Sequence, residues 1–343
     1  MRFGLGIGLG MLHGAPPSVA PDAPTLDAPA DASRVYDGVP VAWSASVTEG
    51  QVPTRIDLVL DPGGSEVVVA TDSTSTYGGN WTPSGVTPGA HTLVARFVYA
   101  GGNVDSAAVD IVLWEPMQLA GLKLWYDPAE GVTKDGSDRV SAYAPKVTTG
   151  TNKSANQVAA GQNPLWEAAH ASMGDMPVLT FDKTRQDQLY NPGPWDVALT
   201  NPHTWVLVGR VASYDTAGTC PVAINANCYI YADGTDQRWG SGAEKIAKAR
   251  IAAGTPFVQV AVFDNAGEGR FYENALTAVA TGQNTGANTI NRLRFGNFVT
   301  PVATYDFDGQ MGDFLIFEGA MSDADVASLL TVFGAKYGIA IGA

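Results

Sequence analysis

Apolar and polar residues alternate through most of this chain in short runs, and Gly, Pro or Asp closes nearly every run. The segments Val39 to Val47, Arg55 to Leu60, Glu66 to Thr71, Gly79 to Trp81, His91 to Tyr99 and Ala107 to Trp114 follow this rule. A period of two places successive side chains on opposite faces of a pleated strand. Turns such as Asp61-Pro62-Gly63-Gly64 and Thr87-Pro88-Gly89 separate the runs at regular spacing. Short strands punctuated in this way predict a small β-sandwich over residues 21–115. Trp43 and Trp81 read as core residues of it.

Glu115-Pro116-Met117 marks a boundary, and strand-like runs resume beyond it, over residues 117–343. They include Leu122 to Tyr126, Pro177 to Phe181, Thr204 to Val211, Phe257 to Asp264, Gly269 to Glu273 and Asp306 to Phe317. One stretch changes period. From Ser322 to Tyr337, Val326, Leu329, Leu330 and Phe333 fall at helical spacing. Ser322 stands as N-cap, with Asp323 and Asp325 in the first turn facing the helix dipole. Gly338 is placed to end the helix. Many strands with one terminal helix predict a two-sheet jelly roll, so the fold expected is all-β throughout.

Upstream of the sandwich, Gly occupies every second position from Gly4 to Gly10, with Phe3, Leu5, Ile7 and Leu9 between. Such a segment favours an extended arm over the helical core of a secretory signal, because Gly is a poor helix former. Its apolar edge needs a partner, and residues 1–20 are expected to anchor the chain to another protein through those four side chains. An unusual signal peptide is the competing reading. Prolines from Pro16 to Pro29 then require an extended linker or edge strand. Twenty Lys and Arg against 34 Asp and Glu leave a formal charge of −14. That balance excludes the basic patch that nucleic acid or an anionic membrane would demand.

Three segments resemble known modules. Pro88-Gly-Ala-His-Thr-Leu-Val-Ala-Arg-Phe-Val-Tyr99 resembles the penultimate strand of bacterial immunoglobulin-like domains. Leu119-Ala-Gly-Leu-Lys-Leu-Trp-Tyr-Asp127, with Met176-Pro-Val-Leu-Thr-Phe-Asp182 further on, is similar to the opening of concanavalin A-like (laminin G-like) jelly-roll domains of bacterial and phage proteins. Tyr305-Asp-Phe-Asp-Gly-Gln-Met-Gly-Asp-Phe-Leu-Ile-Phe317, followed by Lys336-Tyr-Gly-Ile339, resembles the closing strand and helix of the same family. Arm, immunoglobulin-like module and jelly roll together resemble the accessory proteins of tailed-bacteriophage virions: capsid decoration proteins, head fibres or tail appendages. The resemblance implies a non-enzymatic, homo-oligomeric virion-surface protein, bound to other virion proteins through its arm and touching host-surface glycans. The alternative is a secreted or cell-surface bacterial carbohydrate-binding protein, or a glycosidase of the same fold.

Chemistry is sparse. Retaining glycoside hydrolysis needs two carboxylates about 5–5.5 Å apart. The nearest candidates on one run, Asp306 and Asp308, are more simply turn-proximal residues, so no catalytic residue is expected. Asp127, Asp135, Asp138, Asp182 and Asp187 have the right type for calcium, but Asp at such turns more often caps backbone; no metal or cofactor is expected. Trp125 and Trp205 sit in apolar strands and read as core. Trp166, Trp195 and Trp239 lie in Pro/Gly/Asp-rich context and are the candidate sugar-stacking rings. Cys220 and Cys228 could close a hairpin by a disulfide or stand unpaired.

Overall fold

The computed structural model describes residues 20–343, except 37, 149, 152, 160, 192, 196–197, 200–201, 215–217, 226–227, 234, 242–244, 265–268, 284–288 and 298–304. The chain divides into two compact units, Met1–Trp114 and Glu115–Ala343. The expected anchoring residues Phe3, Leu5, Ile7 and Leu9 lie outside the described residues.

In the first unit, Thr25–Ala28, Val41–Ser46 and Gly78–Trp81 form a three-stranded sheet. Against it stands a sheet ordered Ser33–Tyr36, Val109–Trp114, Gly89–Tyr99, Arg55–Leu60 and Val67–Asp72, with Gly102–Asp105 folded back on Gly89–Tyr99. The proline-rich entry thus ends in an edge strand, Thr25–Ala28, where a missing N–H is tolerated. Ser33–Tyr36 runs parallel to Val109–Trp114, joining the start of the unit to its end. Alternation works as the sequence predicts. Ile56, Leu58 and Leu60 face the interior beside Trp43, Trp81, Leu93, Phe97 and Leu113. Asp57, of opposite parity, is buried too, and its carboxylate accepts from Arg55 Nε at 2.9 Å and Thr71 Oγ1 at 2.8 Å. This is the expected immunoglobulin-like sandwich.

The second unit is the jelly roll. Among the described residues it has two nine-stranded sheets. The first is centred on Leu122–Tyr126, Gly309–Glu318, His203–Val211, Pro256–Phe263 and Gly269–Glu273, in that order. The second runs from Val132–Lys134 to Lys245–Ala249. Leu124, Tyr126, Trp205, Phe257, Phe263, Phe314 and Ile316 from the first sheet meet Tyr143, Leu189, Ile230, Trp239 and Phe295 from the second. On Pro256–Phe263 the other parity, Val258, Val260 and Val262, is equally buried, because the helix Asp323–Lys336 packs on this strand from outside. A strand covered on both faces therefore reads as an almost unbroken apolar run.

The helix matches its sequence signals. Ser322 Oγ accepts from Asp325 N, Val326, Leu329, Leu330 and Phe333 are buried, and Gly338 takes φ +63° just past its end. At its N-terminal end Asp323 pairs with Arg270, and Tyr272 donates to Asp323 Oδ1 at 2.7 Å. Its last turn is tied down differently.

Candidate functional site

The last turn of the helix meets the opening and closing strands of the jelly roll at a closed polar centre. Asp313 projects from Gly309–Glu318 with no exposed surface. Its Oδ1 accepts from Trp125 Nε1 at 2.6 Å. Its Oδ2 accepts from Tyr337 Oη at 2.7 Å and Lys336 Nζ at 2.8 Å. A second carboxylate, Asp127, follows the opening strand, and its Oδ1 lies 3.4 Å from the same Lys336 Nζ. Lys146 stands 3.9 Å from Asp127 Oδ2, 2.7 Å from Glu130 Oε1 and 4.5 Å from the centre of the Trp125 ring. The side chains of Asp127 and Lys336 are 6% and 12% exposed.

Two glycines let the chain close around Tyr337. A Cβ on Gly312 would lie 2.6 Å from Cζ and Oη of that ring, and one on Gly174 would lie 2.6 Å from its carbonyl carbon. Gly174, at φ +62°, also needs the left-handed region that glycine enters freely. Burial and the neighbouring Asp127 charge push the Asp313 carboxyl up, against Lys336 and the Trp125 hydrogen bond. Burial alone would weaken the Lys336 ammonium, but Asp313 and Asp127 outweigh it and raise its pKa. Both the Asp313 carboxyl and the Lys336 ammonium therefore hold their protons more tightly than they would in water. The buried Tyr143 hydroxyl, without a hydrogen-bond partner, is raised well above the ordinary phenol range by burial and then by the same carboxylates.

Asp127 and Asp313 come from the two ends of the unit, so their pairing escapes a search for carboxylates on one strand. The signal was present: Trp-Tyr-Asp127, Gly-Asp313-Phe and Lys336-Tyr-Gly are the three motifs that converge here.

The other candidates are placed elsewhere. Trp195 and Trp239 are not exposed rings: they are 4% and 1% accessible and belong to the core. Trp239 points inward from the strand Asp236–Ser241, 6.2 Å from Trp205 and 5.3 Å from Phe271 between ring centres. Trp195 donates to Asn191 Oδ1 at 3.0 Å. Gly/Pro/Asp context marks a turn in the backbone and does not set the direction of the ring beside it. Trp166 is half-buried, donates to the Pro128 carbonyl at 2.7 Å, and carries the Lys134 ammonium 3.4 Å from its ring centre. Trp125 and Trp205 are core, as expected.

Asp306 and Asp308 precede the closing strand, which begins at Gly309. Asp306 accepts from Asn297 and Asp308 from Ser213 Oγ at 2.5 Å. Asp135 and Asp182 cap the N–H groups of Ser137 and Thr184. Asp187 accepts from Asp182 N and Arg185, and Asp138 from Lys134. Among the described residues no group of three His, Cys, Asp or Glu could hold a metal ion. The disulfide option is closed by register. Cys228 stands opposite Asn225, five positions along the strand from Cys220, and Cys220 is a free, buried thiol. Five residues of strand span about 16 Å, against a Cα separation of at most about 7 Å in a disulfide.

A small apolar cleft, with room for about one water molecule, opens between the sheets beside Val211, Pro221, Ile230 and Phe257. Gln259 lines it, its Oε1 without a hydrogen-bond partner and its Nε2 donating to Glu273 Oε2 at 2.7 Å. Among the described residues no helix is long and apolar enough to cross a membrane.

Residues 24–95 match the bacterial Ig domain family. No curated protein is significantly similar to the chain. Among solved structures, fibronectin(III)-like modules of Clostridium thermocellum CbhA share 23% identity over 26% of this chain and 93% of theirs, with a TM-score of 0.22. The Botulinum neurotoxin serotype G binding domain shares 11% identity over 52% of this chain and 48% of its own, with a TM-score of 0.37. Trypanosoma rangeli sialidase in complex with sialic acid shares 9% over 85% and 48%, with a TM-score of 0.38. The chain spans about half the length of the latter two. At TM-scores this low the likenesses carry no argument, and the fold stands on the sheets described above.

Proposed function

We propose that this chain is a non-enzymatic structural protein on the surface of a tailed-bacteriophage particle, anchored through residues 1–20 and displaying the jelly roll outward. One observation carries the non-enzymatic part. The carboxylates that could serve hydrolysis are held by groups of their own fold: Asp313 and Asp127 by Lys336, Asp308 by Ser213, Asp306 by Asn297. Glycosidases need one carboxylate open to the scissile bond and a second poised beside it, and Asp313 has no surface at all. The acidic exterior and the alternating Gly/apolar arm support the virion placement, as does the two-module layout. Host-glycan contact is assigned to Trp166, where the exposed Lys134 side chain would swing aside and let a sugar face lie on the ring.

The bacterial Ig match over residues 24–95 favours a second reading, a secreted or cell-surface protein of a bacterium. Proteomic mass spectrometry of purified virions and of cell-free culture medium separates the two. The virion reading expects the chain in the particle with an intact N-terminus, and loss of incorporation when residues 1–20 are deleted. Recovery only in the medium, cleaved near Ala15 or Ala20, would refute it. A reducing-sugar assay on host polysaccharide is expected to show no turnover; turnover lost in Asp308→Asn would refute the non-enzymatic assignment.

A further inference from the structure

The buried centre has the composition of a reaction site turned on its own chain. An amine and a carboxyl group touch at 2.8 Å inside a space that water barely enters, and a second carboxylate lies 3.4 Å from the amine. The two oxygens of Asp313 are held differently. Among the described residues Oδ1 takes the Trp125 indole N–H alone, whereas Oδ2 takes the Tyr337 hydroxyl and the Lys336 ammonium.

We propose that Lys336 and Asp313 condense into an intramolecular isopeptide bond, with Asp127 as the proton-transferring base and Trp125 Nε1 as the oxyanion donor. The Lys336 ammonium first passes a proton to Asp313 Oδ2 within the 2.8 Å contact, leaving a neutral amine and a neutral carboxylic acid. The Nζ lone pair then attacks Cγ, and negative charge develops on Oδ1, where the Trp125 N–H already points. Asp127 removes a proton from the attacking nitrogen and returns it to Oδ2, which leaves as water. One C–N bond forms, one C–O bond breaks, one water is released, and nothing is oxidised or reduced.

Holding the two groups in contact supplies the effective concentration that makes such an aminolysis possible without activation by a cofactor. Burial raises Asp313 toward the neutral acid the attack requires. The same surroundings keep the ammonium charged against solvent, so the neutral pair arises by transfer inside the contact. The product would fasten the last turn of the helix to the closing strand covalently, 23 residues apart in sequence.

The test is the intact mass of the full purified chain under denaturing conditions, at neutral and mildly acid pH. The expected mass is lower than the sequence mass by one water, and tryptic digestion should yield the Lys336 and Asp313 peptides joined. Asp313→Asn changes the leaving group, so its product should be lighter than its own sequence mass by ammonia. Asp127→Asn should remain at its full sequence mass while far-UV circular dichroism shows it folded. A wild-type chain at the full sequence mass overturns the proposal. So does a loss of water that leaves the two peptides separate, since a succinimide at Asp135-Gly136 or Asp308-Gly309 would give that result and would be opened by hydroxylamine. Linkage at wild-type yield in Asp127→Asn refutes the role given to that carboxylate.

Discussion

Gly312→Ala should be among the more damaging single-methyl changes in the jelly roll, and its cost should vanish when Tyr337 is removed. The added Cβ would meet the Tyr337 ring at 2.6 Å, so the ring must retreat by about 0.8 Å to regain ordinary contact at 3.4 Å. Tyr337 is 1% exposed and has no free space to move into without lengthening its 2.7 Å bond to Asp313. Overpacking of this kind costs about 1–3 kcal/mol, and a hydrogen bond to a charged group contributes about 1.5–3 kcal/mol. Replacing Gly within a strand recovers about 0.5–1 kcal/mol. The net expectation is a loss of about 2–5 kcal/mol in the wild-type background. In Tyr337→Ala the obstacle is gone, and the same Gly312→Ala change should be neutral or slightly stabilising. Urea titration read by hydrogen exchange on peptides covering the helix Asp323–Lys336 reports this unit alone. Additive effects in the double variant, within about 0.5 kcal/mol, would show that Gly312 and Tyr337 are not in conflict and that the close approach is unimportant.

Lys336→Met removes the amine and leaves Asp313 and Asp127 as uncompensated buried carboxylates, at a cost of about 3–5 kcal/mol at neutral pH. Lys336 is what holds the Asp313 pKa down against burial and Asp127, so in the variant it rises further, and the stability tied to its proton there is complete below the unfolded carboxyl value of about 3.9 and is lost as pH rises through the folded one. The deficit relative to wild type should therefore shrink on acidification toward about pH 4, and a pH-independent deficit in urea midpoints would contradict the assignment. Trp239→Ala should lose about 3–5 kcal/mol by leaving a cavity in the core, whereas Trp166→Ala should change stability by less than about 2 kcal/mol and abolish binding on a glycan array. Binding that survives Trp166→Ala would move the sugar site elsewhere.

Much of the fold is legible in the sequence because apolar runs are bounded by Gly, Pro and Asp turns. Arg55–Leu60 and Gly269–Glu273 carry enough apolar residues between turn signals to read as strands and form strands at those bounds. The helix declares itself through Ser322, its acidic first turn and the Val326–Phe333 stripe. Short strands such as Val132–Lys134 and Ala155–Gln157 carry too few residues to show a period, and their pairing is settled by neighbours in the sheet. The site was less legible. Asp127, Asp313 and Lys336 lie in three motifs that resemble a known family, yet only the folded sheet places the first beside the other two. Trp195 and Trp239 illustrate the opposite error, since turn-forming neighbours say nothing about whether a ring points outward or into the core.

The parallel pairing of Ser33–Tyr36 with Val109–Trp114 has a mechanical meaning. Ser33 faces Ile111 and Tyr36 faces Trp114, so the second strand of the first unit, just after the edge strand Thr25–Ala28, lies alongside the strand that leaves it. Tension applied through the N-terminal segment and drawn off through Glu115 pulls these two strands past each other lengthwise. In that geometry the ladder bonds between them are loaded together in shear instead of being peeled one after another, and a parallel ladder spaces them evenly for this. Such a pull would first peel the edge strand Thr25–Ala28 from Val41–Ser46 and then meet a sheared ladder at four paired residues, Ser33 to Tyr36.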